Sequence, residues 1–162
     1  MDQVQNDLGI ANRLLLALPQ STLRRIEPAL EPIETKKGQV IDHVDRRIDY
    51  MYFVNRGLIS IVKTMRDGRS VEVGSVGIEG VTDSSALFGM DEAVLETMVQ
   101  IPGNGVSHEA REPDARARQG SEFSQAHAEL FALCLRTDGA NGGVQSLAFA
   151  GGALLPVAFD RP

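Results

Sequence analysis

Apolar residues at Ile10, Leu14, Leu15 and Leu18 recur at helical spacing up to Pro19, and Leu23, Ile26 and Leu30 repeat the pattern on one face of a second run. This predicts two short helices, with Ser21 as the N-cap of the second. Beyond Pro32 the period shortens. Segments rich in Val, Ile, Tyr and Phe at 39–43, 50–54, 58–65, 70–75 and 93–101 are broken by Gly38, by 45–47, by 55–57, by Asp67 and Gly68, and by 74–80. This is the punctuation of short strands. The Asp67–Gly68 pair lies between two such runs, so Met65 to Val71 reads as a hairpin, with Ile59 and Ile61 on one strand and Val71 and Val73 on the other facing inward. The fold class expected is mainly β with N-terminal helices: a jelly-roll barrel or sandwich carrying a helical cap.

A chain of 162 residues with 43% apolar content is long enough for one domain with a sizeable core. Its net charge of −6 supplies no electrostatic footprint for nucleic acid. The single cysteine, Cys134, excludes an internal disulfide framework and any Cys-based zinc or iron–sulfur site, and without a His–carboxylate partner it reads as a small apolar filler. No apolar run approaches the ~20 residues of a membrane span, and the start MDQVQNDLG has no basic-then-apolar leader, so a cytoplasmic location is expected.

The specific marks are Gly38 opening a strand, the IDYMYF run ending in an Asn-Arg-Gly turn at Gly57, the DGR hairpin, the VGxxG turn at Gly77 and Gly80, and VQIPGNG. In combination the stretch from about residue 12 to 105 resembles the sensor domain of the Crp/Fnr family of bacterial transcription regulators. The resemblance implies a cyclic-nucleotide-binding-like β-roll over 8–104, followed by a dimerising helix and a winged helix-turn-helix that reads DNA. The partners it implies are a small-molecule effector, DNA and a second copy of the chain.

Family members that hold a cyclic nucleotide place a short helix after the glycine turn, a Glu on the ribose and an Arg on the phosphate. The corresponding candidates here are Gly77, Glu79, Gly80, Val81, Thr82, Ser84, Ser85 and Leu95. Val81 stands where the Glu would be and Leu95 near the expected Arg, and 82–100 contains no Arg or Lys. Asp83, Asp91, Glu92 and Glu96 are the charges expected nearby, and they disfavour a phosphate. Cyclic nucleotide binding is therefore not expected, and no cofactor is. A cupin-type metalloenzyme, the rival reading of a jelly roll, needs several converging histidines, whereas the barrel segment offers His43, with His108 and His127 beyond it. No catalytic or metal-binding residue is assigned. Arg24–Arg25 and Arg46–Arg47, interleaved with acids, read as a solvated face.

The chain changes character near residue 103. The nine Ile, three Lys, two Tyr and five Met all precede it, while 103–162 is built on eleven Ala and eight Gly. Over 105–162 the dimer helix and DNA-reading module of the family are replaced by an atypical tail, irregular or partly helical, with one helix conceivable over 121–136 carrying Phe123, Leu130, Phe131 and Cys134 on one side. A shift of reading frame accounts for the break. With allowed codons, TDGANGGVQSL read one base later spells QMAQTAACNRL, and 146–159 can spell RLHSRAALCCRWLL, both similar to the family's missing region.

Overall fold

The computed structural model describes residues 8–111 together with 125, 128–130, 132 and 133. Two short helices come first among the described residues, α1 (Arg13–Leu16) and α2 (Gln20–Ile26), the second running into a 3₁₀ turn at Glu27–Ala29. Asn12 caps α1: its side-chain oxygen accepts from the N–H groups of Leu14 and Leu15, both at 3.1 Å. The expected cap at Ser21 is not used. Helix α2 begins two residues earlier, at Gln20 after Pro19, whose ring presets its own φ at −53° and whose carbonyl accepts from Thr22 and Leu23.

Five strands follow in one antiparallel sheet: β1 (Glu31–Thr35), β2 (Val40–Asp42), β3 (Tyr50–Thr64), β4 (Ser70–Val76) and β5 (Glu96–Glu109). Their order is β1-β5-β3-β4, with β2 also on β5. Strand β1 was not foreseen, because Pro32 breaks the pattern; it lies at the sheet edge, where a missing N–H is tolerated.

The larger departure concerns β3. The Asn55–Gly57 stretch, expected to be a turn, is the middle of one fifteen-residue strand. The pairing of β3 with β5 slips between Val54 and Arg56, between Arg56 and Leu58 and between Leu58 and Ile59, so the two strands bend together instead of ending. Gly57, at φ +105°, lets the backbones cross: a Cβ there would stand 2.6 Å from the Ile101 carbonyl. Pro102 and Gly103 belong to the same irregularity, and beyond it β5 continues to Glu109, with Val106 opposite Phe53 and His108 opposite Met51. The strand thus runs five residues past position 104, and His108, expected beyond the barrel, is inside it.

The hairpin at Asp67–Gly68 forms as expected. Gly68 takes φ +83°, its N–H bonds the Met65 carbonyl, and Met65 N–H bonds Arg69 O at 2.7 Å. Ile59 is buried as expected, but Val71 is 51% exposed, Ile61 and Val73 are half-buried, and Val62 on β3 is buried instead. A register slip between Ile61 and Val62 resets the alternation.

The main core joins the helices to the sheet: Leu14, Leu15, Leu18, Leu23 and Ile26 pack with Ile48, Met51, Phe53, Val81 and Val106, and Leu130 is fully buried among them. A smaller cluster of Val54, Ile59 and Val76 lies apart. Residues 125, 128–130, 132 and 133 are helical, within the expected 121–136; of the side expected to face inward, Leu130 is buried and Phe123, Phe131 and Cys134 lie outside the described residues. So do His127 and the segments compared in the shifted frame. Among the described residues no helix is long and apolar enough to cross a membrane.

Candidate functional site

Strand β4 ends at Val76 and hands the chain to the Gly77–Gly80 turn, closed by the Gly80 N–H on the Gly77 carbonyl at 3.1 Å. Gly77 is buried with Glu79 folded over it, so that a Cβ would meet the Glu79 carboxylate at 2.9 Å. Glu79 thus closes its own turn. Val81 then bridges to Phe53 and is buried in the main core, which gives this position an apolar anchoring role.

Thr82 is fully buried and clamps the chain to β3: its N–H bonds the Tyr52 carbonyl at 3.1 Å and its hydroxyl accepts from the Tyr52 N–H at 3.1 Å. Asp83 follows in the left-handed region, φ +48°, which frees the chain to enter the 3₁₀ helix Ser84–Phe88. Ser84 and Ser85 are half-buried on that helix, and Gly89 at φ +81° ends it. The structure therefore brings Gly77, Glu79, Gly80, Val81, Thr82, Ser84 and Ser85 into one continuous segment, while Leu95 stands half-buried in the bend that leads into β5.

The chemistry next to this segment is acidic. The Asp83 carboxyl lies within hydrogen-bonding reach of Asp42 on β2, and its Oδ2 is buried with no partner among the described residues. Burial first, then the Asp42 carboxyl, pushes Asp83 up to about 8. The Asp42 Oδ2 accepts from the Thr97 hydroxyl at 2.7 Å, and the Asp42 N–H bonds the same hydroxyl at 3.1 Å. Tyr52 is half-buried nearby; burial and the Asp42 charge hold its phenol above the ordinary value. Asp42, Tyr52 and Thr97 were not singled out in the sequence. They sit on three different strands, and only the pairing of β5 with both β2 and β3 assembles them.

The other acids expected here have different roles. Asp91 pairs with Arg111 at 2.5 Å, Glu96 stands 3.7 Å from His43, and Glu92 bridges to Arg47 through the backbone. Arg25, expected on a solvated face, is half-buried and pairs with Glu129 at 3.0 Å. His43 follows the end of β2, exposed beside Glu96 at the start of β5, whereas His108 is buried near the other end of β5. The two histidines thus stand toward opposite ends of β5 and do not converge. A shallow depression is lined by Ile33, Thr35, Tyr52, Arg56, Leu58 and Asn104, where the β3–β5 crossing meets β1.

No protein-family model and no curated protein sequence matches the chain. Solved structures do. A sensor domain of the transcriptional regulator DNR from Pseudomonas aeruginosa superposes with a TM-score of 0.60 at 12% identity, over 84% of this chain and 85% of that one. The N-terminal domain of a transcriptional regulator from Streptomyces coelicolor gives 0.61 at 18%, over 86% and 99%. The fold is a cyclic-nucleotide-binding-like β-roll. A regulatory subunit of a cAMP-independent protein kinase A from Trypanosoma brucei, in a mutant bound to cAMP, gives 0.66 at 14% identity over 83% of this chain. The chain spans 47% of that subunit's length. In this roll, the segment from Gly77 to Ser85 holds the glycine turn and the start of the short helix to which the sequence resemblance assigned ligand contacts, and Asp83 within it lies against Asp42 of β2.

Proposed function

We propose that the chain is the effector-sensing domain of a Crp/Fnr-type transcriptional regulator, that its roll does not take a cyclic nucleotide, and that residues beyond 105 do not form the family's DNA-reading module. The positive half of this reading is supported by the roll together with the sequence marks at Gly57, Asp67–Arg69 and Gly77–Gly80.

One observation carries the negative half. The segment that should cradle a phosphate is met by the carboxyls of Asp42 and Asp83, and the nearby stretch 82–100 supplies no cation. A cyclic phosphate monoanion placed there faces an acid that must stay protonated or repel it. A full helix end is worth about 0.3–1 kcal/mol of dipole attraction, and the five-residue 3₁₀ helix Ser84–Phe88 contributes less. The effector suited to this turn is a small molecule without an anionic group.

A melting experiment with cyclic AMP and cyclic GMP at millimolar concentration tests the reading. No rise in Tm is expected; a rise of several degrees means the folded state binds the nucleotide and refutes the negative half. For the DNA-reading module, the tail's charge and its spelling in the shifted frame predict no footprint on promoter DNA, and the coding bases across codons 102–108 decide whether the frame changes there.

A further inference from the structure

Asn12 is completely buried, and every hydrogen-bonding position of its amide is used. Its oxygen caps α1 through Leu14 and Leu15. Its Nδ2 donates to the carbonyls of Val54 on β3 and Gly80 in the glycine turn, both at 2.9 Å. The next residue repeats the connection: Arg13 N–H bonds the Ile78 carbonyl at 2.7 Å. Asn55 holds the other side, its Oδ1 accepting from the N–H groups of Ala11 and Asn12 at 2.9 Å and its Nδ2 donating to the Gly9 carbonyl.

A capping residue needs only an acceptor, and Ser or Asp serves as well. The two amide donors of Asn12 are spent instead on segments remote in sequence, one fixing the first turn of α1 to β3 at Val54 and the other fixing it to the glycine turn at Gly80. An independent apolar contact does the same. Val81, next to Gly80, is buried in the cluster that holds Leu14, Leu15 and Leu23 of the helices and Leu130 of the C-terminal segment.

We propose that Asn12 is a positioning residue that fastens the Gly77–Thr82 turn to α1, so that the turn and the helical cap move as one body. In this device, displacement of the turn by an effector cannot stay local. It either carries α1 with it or breaks a buried hydrogen bond, and α1 shares its core with α2 and Leu130. Its functional use rests on the reading of the turn as an effector site, but the coupling itself exists without ligand.

Amide hydrogen exchange on the full, ligand-free chain tests it. Asn12→Ser retains an oxygen for the cap and is too short to reach Gly80. The amides of Gly80 and Thr82 should exchange about tenfold faster in this variant, the loss of one buried hydrogen bond, while those of Ile59 and Ile61 on β3 change less than about twofold. Uniform acceleration across all four amides would show a merely structural role and overturn the proposal, as would an unchanged Gly80. Coupling must also be reciprocal. Val81→Ala, made on the turn side, should speed exchange of the Leu16 and Ala17 amides, which bond Asn12 O and Arg13 O; unchanged α1 amides would overturn it too. Because no ligand is added, a negative result here leaves the effector reading standing, and a cyclic-nucleotide melting shift leaves the coupling standing.

Discussion

The carboxyl groups of Asp42 and Asp83 lie within hydrogen-bonding reach of each other between β2 and the turn that follows Thr82, and Asp42 accepts also from the Thr97 hydroxyl at 2.7 Å. Asp83 therefore keeps its proton to about pH 8 in the fold, against an ordinary value of 3.8. Between these values the folded chain holds a proton that the unfolded chain has released, so stability falls as pH rises from about 4 to 8. Asp83→Asn removes the titration while preserving size and the donor. The variant should melt higher than the parent at pH 8, with the gap closing as pH falls to 4, measured by thermal melts across that range.

His108 acts in the opposite sense. Burial lowers its pKa below 6.5, only partly offset by its bond to the Glu109 carbonyl at 2.7 Å. As pH falls through 6.5 the unfolded histidine takes up a proton before the folded one, so stability is lost on the acid side. In Asp83→Asn, where the opposing carboxyl no longer titrates, Tm should drop from pH 7 to pH 5. Adding His108→Gln should flatten that slope.

The helices, the hairpin and the glycine turn were legible because each is specified locally, by the Ile10–Leu18 spacing, by Gly68 in its left-handed turn and by Gly77 and Gly80. The long strands were not. Asn55–Gly57 and Pro102–Gly103 carry turn residues, yet they face each other, and the freedom that would let either one turn lets both strands bend in register. Pairwise bulges have no signature in a single segment. The same holds for the acid pair: Asp83 was visible as a nearby charge, whereas Asp42 reaches it only through the β2–β5 pairing. Asn12 was missed for a related reason, because a helix cap shows in the sequence and a cross-chain donor does not.

The crossing of β3 and β5 makes a quantitative prediction about two glycines. Gly57 and Gly68 both have positive φ, but a Cβ on Gly68 meets nothing within 4 Å, while one on Gly57 meets the Ile101 carbonyl at 2.6 Å. Gly68→Ala should cost about 1 kcal/mol, the conformational strain alone. Gly57→Ala adds a backbone clash and should cost roughly 3 kcal/mol or more. Urea melts of the two variants measure the difference, and equal losses would mean that the strands can part at Gly57 without penalty.

Where the C-terminal segment touches the sensor, polar and apolar contacts make different predictions. Glu129 accepts from the Thr22 hydroxyl and pairs with Arg25 at 3.0 Å, and these partners, Thr22 first, hold its carboxyl below the usual range. The pair is partly exposed, so Glu129→Gln should leave stability nearly unchanged, and any small loss should vanish in high salt. Leu130 is different: it is wholly buried in the core shared by α1, α2 and Val81. Leu130→Ala should cost about 2–5 kcal/mol in a denaturant melt, as for other filled core positions. The ordering of the two losses is the test. A silent Leu130→Ala beside a costly Glu129→Gln would place the docking energy in the ion pair, contrary to the burial of Leu130 against the helical cap.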